Sequence, residues 1–111
     1  LTVADLCRKW LDTVAAHKVR PTTLAGYRAT LEHHVIPALG HVPAQRLTAA
    51  AVQGFYADKL AAGASPRTVQ LCALRLSQAL SQGVRWGMLP RNVATLADPP
   101  RVAHKPGAIW T

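Results

Sequence analysis

The chain contains a long stretch of positive charge that no acidic residue offsets. Between Lys59 and Ala97 there is no aspartate or glutamate, while arginines recur along the whole stretch. Arginine guanidinium groups present several N–H donors in a fixed fork that matches the oxygens of a phosphate group. This part of the chain is therefore predicted to face a polyanion.

The overall charge agrees with that prediction. The 111 residues carry 13 lysines and arginines against 5 acidic residues, a formal net charge of +8. Such an excess favours either a nucleic acid or an anionic membrane surface. No apolar run approaches the roughly 18 residues that a membrane-spanning helix needs, and the first residues lack the layout of a signal peptide. Nucleic acid is the favoured partner, no membrane partner is expected, and a cytoplasmic location is expected.

Length and composition predict one helical domain. A chain of 111 residues, half of them hydrophobic, can bury one core but is too short to hold a large catalytic domain as well. Sustained alternation of β-branched and polar residues, which strands require, is not found. The predicted fold class is all-α, a compact four-helix bundle with an extended C-terminal linker.

The helix that carries the basic stretch is predicted from about 66 to 86. Ser65 is a strong N-cap, Pro66 suits the first helical position, and Gly87 can adopt the left-handed conformation that ends a helix. Leu71 and Leu74 lie near its polar side, where they meet another domain, another subunit or thymine methyl groups, or are isolated surface leucines. The predicted apolar side consists of Val69, Cys72, Ala73, Leu76, Ala79, Leu80 and Val84. The opposite side consists of Arg67, Gln70, Gln78, Ser81, Gln82 and Arg85, with Arg75 on the flank.

Two helices are predicted at the start of the chain. The first spans roughly 3–17 behind Thr2, and Asp5 completes only part of a capping box because aspartate is shorter than the usual glutamate. The second begins near Pro21 and stops at Pro37, since proline cannot donate a helical hydrogen bond. Its buried stripe, at spacings of three and four, consists of Leu24, Tyr27, Leu31 and Val35.

The remaining elements are a turn, a third helix and a linker. The connector 38–47 contains glycine and proline and is predicted as an ordered turn rather than a strand. Thr48 caps a helix of about 49–62, which Gly63 ends. Prolines and basic residues then mark an inter-domain linker. The predicted division is a helical domain over 1–96 and a linker over 97–111.

Catalytic and metal-binding arrangements are not indicated by the sequence. The acidic residues are scattered, and no glycine-rich phosphate loop or metal-binding motif is present. Cys7 and Cys72 are predicted to be buried, reduced thiols, and Trp10 a core ring. Tyr27 and Tyr56 are interpreted as packing residues. Three histidines are close in sequence, but no cysteine or carboxylate is placed to complete a zinc site with them: His33, His34 and His41. No catalytic residue, metal ligand or cofactor is therefore expected.

Four segments in a fixed order carry a family resemblance over nearly the whole chain. They are Arg20-Pro21-Thr22-Thr23-Leu24 before Tyr27-Arg28; His34-Val35-Ile36-Pro37-Ala38-Leu39-Gly40; Leu47-Thr48 before Val52-Gln53-Gly54-Phe55; and Ser65-Pro66-Arg67-Thr68-Val69, a leucine-rich helix, Val84-Arg85-Trp86-Gly87-Met88-Leu89 and Arg91-Asn92-Val93. In this register they resemble the SAM-like core-binding domain of the tyrosine recombinases, the phage integrase family.

The resemblance implies a function and partners. It implies that this domain binds double-stranded DNA in an integrase-type site-specific recombinase, a protein of DNA integration and recombination. The tyrosine nucleophile and its arginines then belong to a C-terminal catalytic domain, so this fragment is not itself an enzyme. Ile109-Trp110-Thr111 resembles the opening of that domain, and the chain is expected to be truncated there. The implied partners are double-stranded DNA, the missing catalytic domain and other recombinase protomers on DNA.

The resemblance also implies which residues contact DNA. In the family the second and fourth helices lie nearest the major groove, and hydroxyls and helix N-terminal amides hold phosphates while arginine and glutamine contact phosphates or bases. Arg20 stands where the family has serine or threonine, so the N-cap is lost or Thr22 replaces it. The implied DNA-binding residues are Lys18, Arg20, Thr22, Thr23, Arg28, Arg67, Thr68, Gln70 and Arg75.

The other basic residues receive two different interpretations. Those interpreted as solubility charges are Arg8, Lys9, Arg46 and Lys59. Those placed along the DNA backbone, where the linker crosses the duplex, are Arg85, Arg91, Arg101 and Lys105.

Two alternative functions are compatible with parts of the sequence. In the first, the chain is a helical protein–protein interaction module in which Leu71, Leu74 and Trp86 form a docking patch and the charge serves solubility. In the second, it is a stand-alone DNA-binding regulator of the helix-turn-helix type. The long connector between the second and third helices disfavours that fold, because it requires a short turn.

Overall fold

The computed structural model describes residues 2–97, and its first helix, α1, begins directly after Thr2. Its segments are α-helix Val3–Trp10, π-helix Leu11–Ala15 and α-helix Ala16–Lys18. Thr2 Oγ1 accepts a hydrogen bond from Asp5 N–H at 3.2 Å, and Asp5 Oδ2 accepts one from Thr2 N–H at 3.1 Å. The capping box is therefore complete, and the expectation of a partial box was wrong because the shorter carboxylate still reaches the backbone.

Helix α2 runs through Pro37, where the sequence predicts its end. Its segments are α-helix Pro21–Thr30, π-helix Leu31–Val35 and α-helix Ile36–Leu39. In a regular α-helix, a proline ring presses against the carbonyl four residues earlier. In α2 the turn before Pro37 is π-helical, with Ile36 N–H donating to Leu31 O five residues back, and this wider turn leaves room for the ring. The prediction that Pro37 stops the helix was wrong for this reason.

The connection after α2 closes the start of α1. Val42 O accepts a hydrogen bond from Val3 N–H at 2.9 Å, and Gly40 O accepts one from Ala4 N–H at 3.1 Å. These bonds satisfy N–H groups that a helix start leaves without an intrahelical partner. A Cβ atom on Gly40 would stand 2.5 Å from Ile36 O and 3.1 Å from the Cβ of Ala4, and because the first contact is to backbone and too short for a real Cβ, this position requires glycine.

Helix α3 (Ala49–Ala61) confirms the third predicted helix. Thr48 Oγ1 accepts a hydrogen bond from Ala51 N–H at 3.1 Å, which is the predicted cap. After the helix, Gly63 has a φ of 100°, in the left-handed region that side-chain-bearing residues rarely adopt. The connection before α3 contains a 3-10 helix, Ala44–Arg46, and no strand among the described residues, so the predicted turn is confirmed.

Helix α4 (Pro66–Arg85) packs against all three other helices and ends at Gly87, whose φ is 78°. Its predicted apolar side is confirmed, since Val84 is half-buried and the other members are buried. A 3-10 helix, Val93–Leu96, follows and packs against α3 and α4. The buried residues of α4 are Val69, Cys72, Ala73, Leu76, Ala79, Leu80 and Gly83.

The cap of α4 supplies a test of how this helix is fixed. Ser65 Oγ accepts a hydrogen bond from Thr68 N–H at 3.2 Å. We expect Ser65→Ala to lower the free energy of unfolding by about 1 kcal/mol, because the N–H group loses its acceptor. Ser65→Asp restores an acceptor and should recover most of that loss in urea denaturation. No loss for Ser65→Ala would show that the cap does not stabilise α4, and equal losses for both variants would show that the hydrogen-bond acceptor is not the cause.

The hydrophobic core lies where α4 meets the other three helices. The fold of the described residues is all-α, as predicted. Trp10 and both cysteines are buried, as expected from their positions on apolar faces. Burial raises the pKa of the Cys7 thiol to about 12, so this sulfur stays protonated at neutral pH. None of the described helices is long and apolar enough to cross a membrane. The predicted linker, 97–111, lies outside the described residues except for Ala97.

Candidate nucleic-acid interface

The start of α2 presents three of the implied DNA-binding residues to solvent. Arg20 occupies the N-cap position without a side-chain hydrogen bond, and Pro21 is the first helical residue. The cap is therefore lost, which was one of the two alternatives for this position. Thr22 and Thr23 are exposed, and within residues 2–97 their hydroxyls form no hydrogen bond. These two hydroxyls and the backbone N–H groups of Thr22 and Thr23 have no partner within residues 2–97 and are available to an anion, whereas Leu24 N–H already donates to Arg20 O at 2.8 Å.

Arg75 of α4 is held in a defined position by two contacts. Its guanidinium carbon lies 3.9 Å from the centroid of the Tyr27 ring on α2, and its Nη1 donates to Gln78 Oε1 at 2.7 Å. Tyr27 in turn stacks on Trp10 of α1, with ring centroids 6.0 Å apart and planes 9° from parallel. The stack uses none of the five guanidinium N–H donors, and the bond to Gln78 uses one. Arg75 is thus a positioned cation with donors left over.

Arg28 differs from Arg75, because a carboxylate already engages it. Its Nη2 lies 2.7 Å from Asp12 Oδ1, and the two side chains are 41% and 63% exposed. Arg8 and Glu32 form a second ion pair between α1 and α2 at 3.1 Å. Exposed pairs of this kind contribute little to stability and exchange readily with other partners. Arg28 remains accessible, but a phosphate must compete with Asp12 for it.

A polar groove separates α4 from α1 and α2. We call it the basic groove and define it by Lys18, Tyr27, Ser77, Gln78, Ser81, Gln82 and Arg85, with Trp10 in its wall. Its volume is about 340 Å³. Arg75 stands beside it, because both contact partners of Arg75 line the groove. The structure therefore brings Lys18 of α1 and Arg75 of α4 to one region.

A second groove lies on the other side of α4. We call it the apolar groove and define it by Tyr56, Arg67, Gln70, Leu71, Ala73, Leu74 and the 3-10 helix that follows α4, with a volume of about 480 Å³. Leu71 and Leu74 are 38% and 48% exposed, as their positions near the polar side predict. Arg67 and Gln70 lie at this groove rather than beside Arg75. Ser77 lines both grooves, so the two meet across the outer face of α4.

Thr68 is tied into the cap of its own helix. Its backbone N–H donates to Ser65 Oγ, and the two hydroxyl oxygens are 3.0 Å apart. It therefore supports the helix start first, and it has less freedom to reach a ligand than Thr22 or Thr23. The implied residues thus fall into five places: the α2 start, the Arg28 ion pair, the basic groove with Arg75, the apolar groove with Arg67, and the α4 cap with Thr68.

Asn92 organises the groove side of α4 and was not singled out as a site residue from sequence. Its Nδ2 donates to Ser77 O, Ser77 Oγ and Ser81 Oγ at 2.8–3.1 Å. Its Oδ1 accepts from Ala94 N–H at 2.9 Å, which fixes the orientation of the amide. In the sequence, Asn92 was marked only by its place in the Arg91-Asn92-Val93 segment. Its contacts with α4 could not be predicted, because they join residues that are 11 and 15 positions apart in the chain.

The tyrosines and other reactive groups take structural positions. Tyr56 is 1% exposed, and burial raises the pKa of its hydroxyl to about 12, which confirms the packing role predicted for it. Tyr27 is half-buried and packs on Trp10. Within residues 2–97, no group of three or more histidine, cysteine or acidic side chains is arranged to hold a metal ion.

Comparison with known proteins agrees with the fold and with the sequence resemblance. Residues 2–60 match the family described as phage integrase, N-terminal SAM-like domain. An integrase of Saccharopolyspora erythraea is 26% identical over 106 residues, which are 94% of this chain and 24% of that protein. The chain therefore spans about a quarter of the length of this curated relative.

A solved structure is also similar. The solution NMR structure of a phage integrase SAM-like domain from Moorella thermoacetica is 37% identical, with a TM-score of 0.78, and the match covers 93% of this chain and 88% of that one. The match spans α1 to α4, and it concerns the SAM-like domain rather than a catalytic domain. This chain belongs to the phage integrase N-terminal SAM-like domain family.

Proposed function

We propose that this domain binds double-stranded DNA as the DNA-binding part of an integrase-type site-specific recombinase. The observation that carries the proposal is the outer face of α4 and the neighbouring start of α2. Lys18 and Arg85 line the basic groove there, Arg75 stands beside it, and none of the three side chains is paired with a carboxylate within residues 2–97. Clustered, unpaired cations of this kind are the electrostatic footprint of a nucleic-acid surface.

The proposed contacts follow from the chemistry of each place. The α2 start offers the hydroxyls of Thr22 and Thr23 and free helix amides to one phosphate. Arg75 and Arg67 of α4 contact phosphates or guanine edges, and Gln70 has the donor and acceptor needed to read adenine. Arg28 joins when DNA displaces Asp12. In this proposal bond breaking belongs to a catalytic domain C-terminal to the linker, and further protomers assemble on the same DNA.

Salt-dependent binding to a duplex of mixed sequence tests the proposal. Each neutralised phosphate contributes about −0.9 to the slope of log K against log[salt], so four contacts should give a slope of about −3.6. Fluorescence anisotropy between about 50 and 200 mM salt measures it. Arg67→Gln should make the slope shallower by about 1, whereas Arg46→Gln, on the 3-10 helix before α3, should leave it unchanged.

Two results of this titration would contradict DNA binding. Absence of duplex binding at low salt, or binding that does not weaken as salt rises, overturns the proposal. Circular dichroism of each variant shows whether the fold is retained, so a loss of binding by unfolding is recognised separately.

The apolar groove supports a second candidate function, docking of another protein. Leu71 and Leu74 are exposed along its edge, and an exposed apolar patch with polar residues at its rim is typical of a protein-interaction site. Trp86 does not line this groove; it is half-buried, with Lys9 Nζ 5.4 Å from its ring centroid. Leu71 and Leu74 therefore lie at the apolar groove without Trp86, and the three residues do not form the single docking patch predicted from the sequence. Unchanged DNA affinity after charge reversal at Arg28, Arg67 and Arg75 would favour docking.

A further inference from the structure

Trp10, Val14, Ala15 and Val19 form an apolar part of the wall of the basic groove, and several of its polar side chains offer hydrogen-bond donors. These donors indicate the class of ligand. Ser77 Oγ and Ser81 Oγ both accept hydrogen bonds from Asn92 Nδ2, which occupies a lone pair on each oxygen. Within residues 2–97 neither hydroxyl donates to an acceptor, so both hydrogens are available to a ligand. The orientation of Asn92 is fixed, because its Oδ1 accepts from the backbone N–H of Ala94.

Gln78 is oriented in the same sense. Its Oε1 accepts from Arg75, which has only donors, so the amide nitrogen of Gln78 must be the end left free. Lys18 and Arg85 add two cationic heads to the same groove, and neither has a hydrogen-bond or ion-pair partner within residues 2–97. Lysine and arginine carry no acceptor. Two hydroxyls, one amide and two cations therefore direct donors at one space.

The charges that line the basic groove and the volume of the groove further restrict the class of ligand that it can bind. No carboxylate lines the groove, so an anion bound there would be attracted by two cations and would meet no negatively charged side chain. The volume of about 340 Å³ is roughly ten times the ~30 Å³ of a water molecule in the liquid. This space accommodates a tetrahedral oxyanion with some of its water. A phosphate of the DNA backbone has two non-bridging oxygens, each with more than one lone pair to accept the donors that Lys18, Ser81 and Arg85 present.

We propose that the basic groove is a phosphate-binding site in which Lys18 and Arg85 hold the charge and Ser77, Gln78 and Ser81 hold the oxygens. The source of the phosphate is the backbone of the bound duplex, and this assignment rests on the proposed function. Arg85 is thereby a contact made by the helical domain itself, from the last turn of α4. Asn92 is a positioning residue, since it aims the two serine hydroxyls without reaching the anion.

Three variants test the site on the duplex. Lys18→Gln and Arg85→Gln should each make the salt slope shallower, by at most about 0.9, because that is the value for losing one whole phosphate contact and the two cations share one phosphate. Ser81→Ala removes a donor without changing the charge, and it should weaken binding a few-fold at fixed salt with the slope unchanged. Arg46→Gln is the control for the loss of one positive charge elsewhere, and circular dichroism checks that each variant is folded.

Inorganic phosphate supplies an independent arm. In ¹⁵N NMR spectra of the wild-type domain, phosphate should shift the amide signals of Ser81 and Gln82 and the Arg85 side-chain signal, and Arg85→Gln should abolish the Ser81 shift. Duplex binding that is unaffected by Lys18→Gln, Arg85→Gln and Ser81→Ala, together with no phosphate shifts, overturns the site and leaves the proposed function standing. Phosphate shifts without duplex binding would support the site with free phosphate as its source and overturn the proposed function.

Discussion

Leu76→Ala is expected to lower the free energy of unfolding by about 2–5 kcal/mol, the range for removing a buried leucine side chain beyond Cβ. Leu76 is completely buried on α4, the helix that packs against all three others. The variant loses the transfer free energy of the missing atoms and leaves a cavity that helices fixed on several sides cannot close. Because small domains are stable by only about 5–15 kcal/mol, the loss should be visible as a large fall in the urea midpoint.

Leu71→Ala is the matched control for this prediction. It makes the same chemical change on the same helix, but Leu71 is 38% exposed and lines the apolar groove. We expect it to cost less than about 1 kcal/mol, since less apolar area returns to water. Similar losses for the two variants would contradict the packing of α4 described above. A change in the denaturant slope of either variant would show that the unfolded or native state, rather than the cavity, had changed.

The features that follow from local chemistry could be predicted from the sequence. Ser65 and Thr48 cap helices because a hydroxyl satisfies an N–H group three residues away, and Gly87 ends one because its φ is positive. The apolar side of α4 follows from the helical period alone. These signals need no knowledge of the other helices, and the resemblance to a known family then arranged the predicted helices into a fold that the comparisons confirm.

The features that depend on backbone detail were harder to predict. A proline usually marks the end of a helix. At Pro37 the π-helical turn before it allows α2 to continue to Leu39. Asp5 completes its capping box although glutamate is the usual partner. In both cases the backbone geometry differs from the one that the residue type usually adopts, and the residue types alone do not specify that geometry.

The candidate site was predictable as a set of residues but not as an arrangement. The implied residues were identified by helix position, and their placement as DNA contacts remains a prediction. That Arg75 lies over Tyr27, and that Asn92 reaches Ser77, are contacts between distant parts of the chain. Helical periodicity places a residue on a face but does not show which neighbour that face meets.

Arg75→Gln is expected to weaken duplex binding by about tenfold to a hundredfold, because a well-placed arginine contact to DNA is worth about 1–3 kcal/mol. The structure makes Arg75 the strongest candidate on α4, since Tyr27 and Gln78 already hold its guanidinium group. A side chain that is ordered before binding loses less conformational entropy when it contacts the ligand. Fluorescence anisotropy at fixed low salt measures the change, and Arg46→Gln again controls for charge. Affinity within twofold of wild type would remove Arg75 from the interface.

Tyr27 tests whether this ordering matters. The cation–π contact needs an aromatic ring but not the hydroxyl, so Tyr27→Phe should bind DNA like the wild type, whereas Tyr27→Leu should bind a few-fold more weakly. A merely structural effect of Tyr27→Leu would persist when Arg75 is absent. If Tyr27 instead acts by positioning Arg75, adding Tyr27→Leu to Arg75→Gln should cause no further loss. The double-mutant cycle therefore separates the two roles, and additive losses would assign Tyr27 to packing on Trp10 alone.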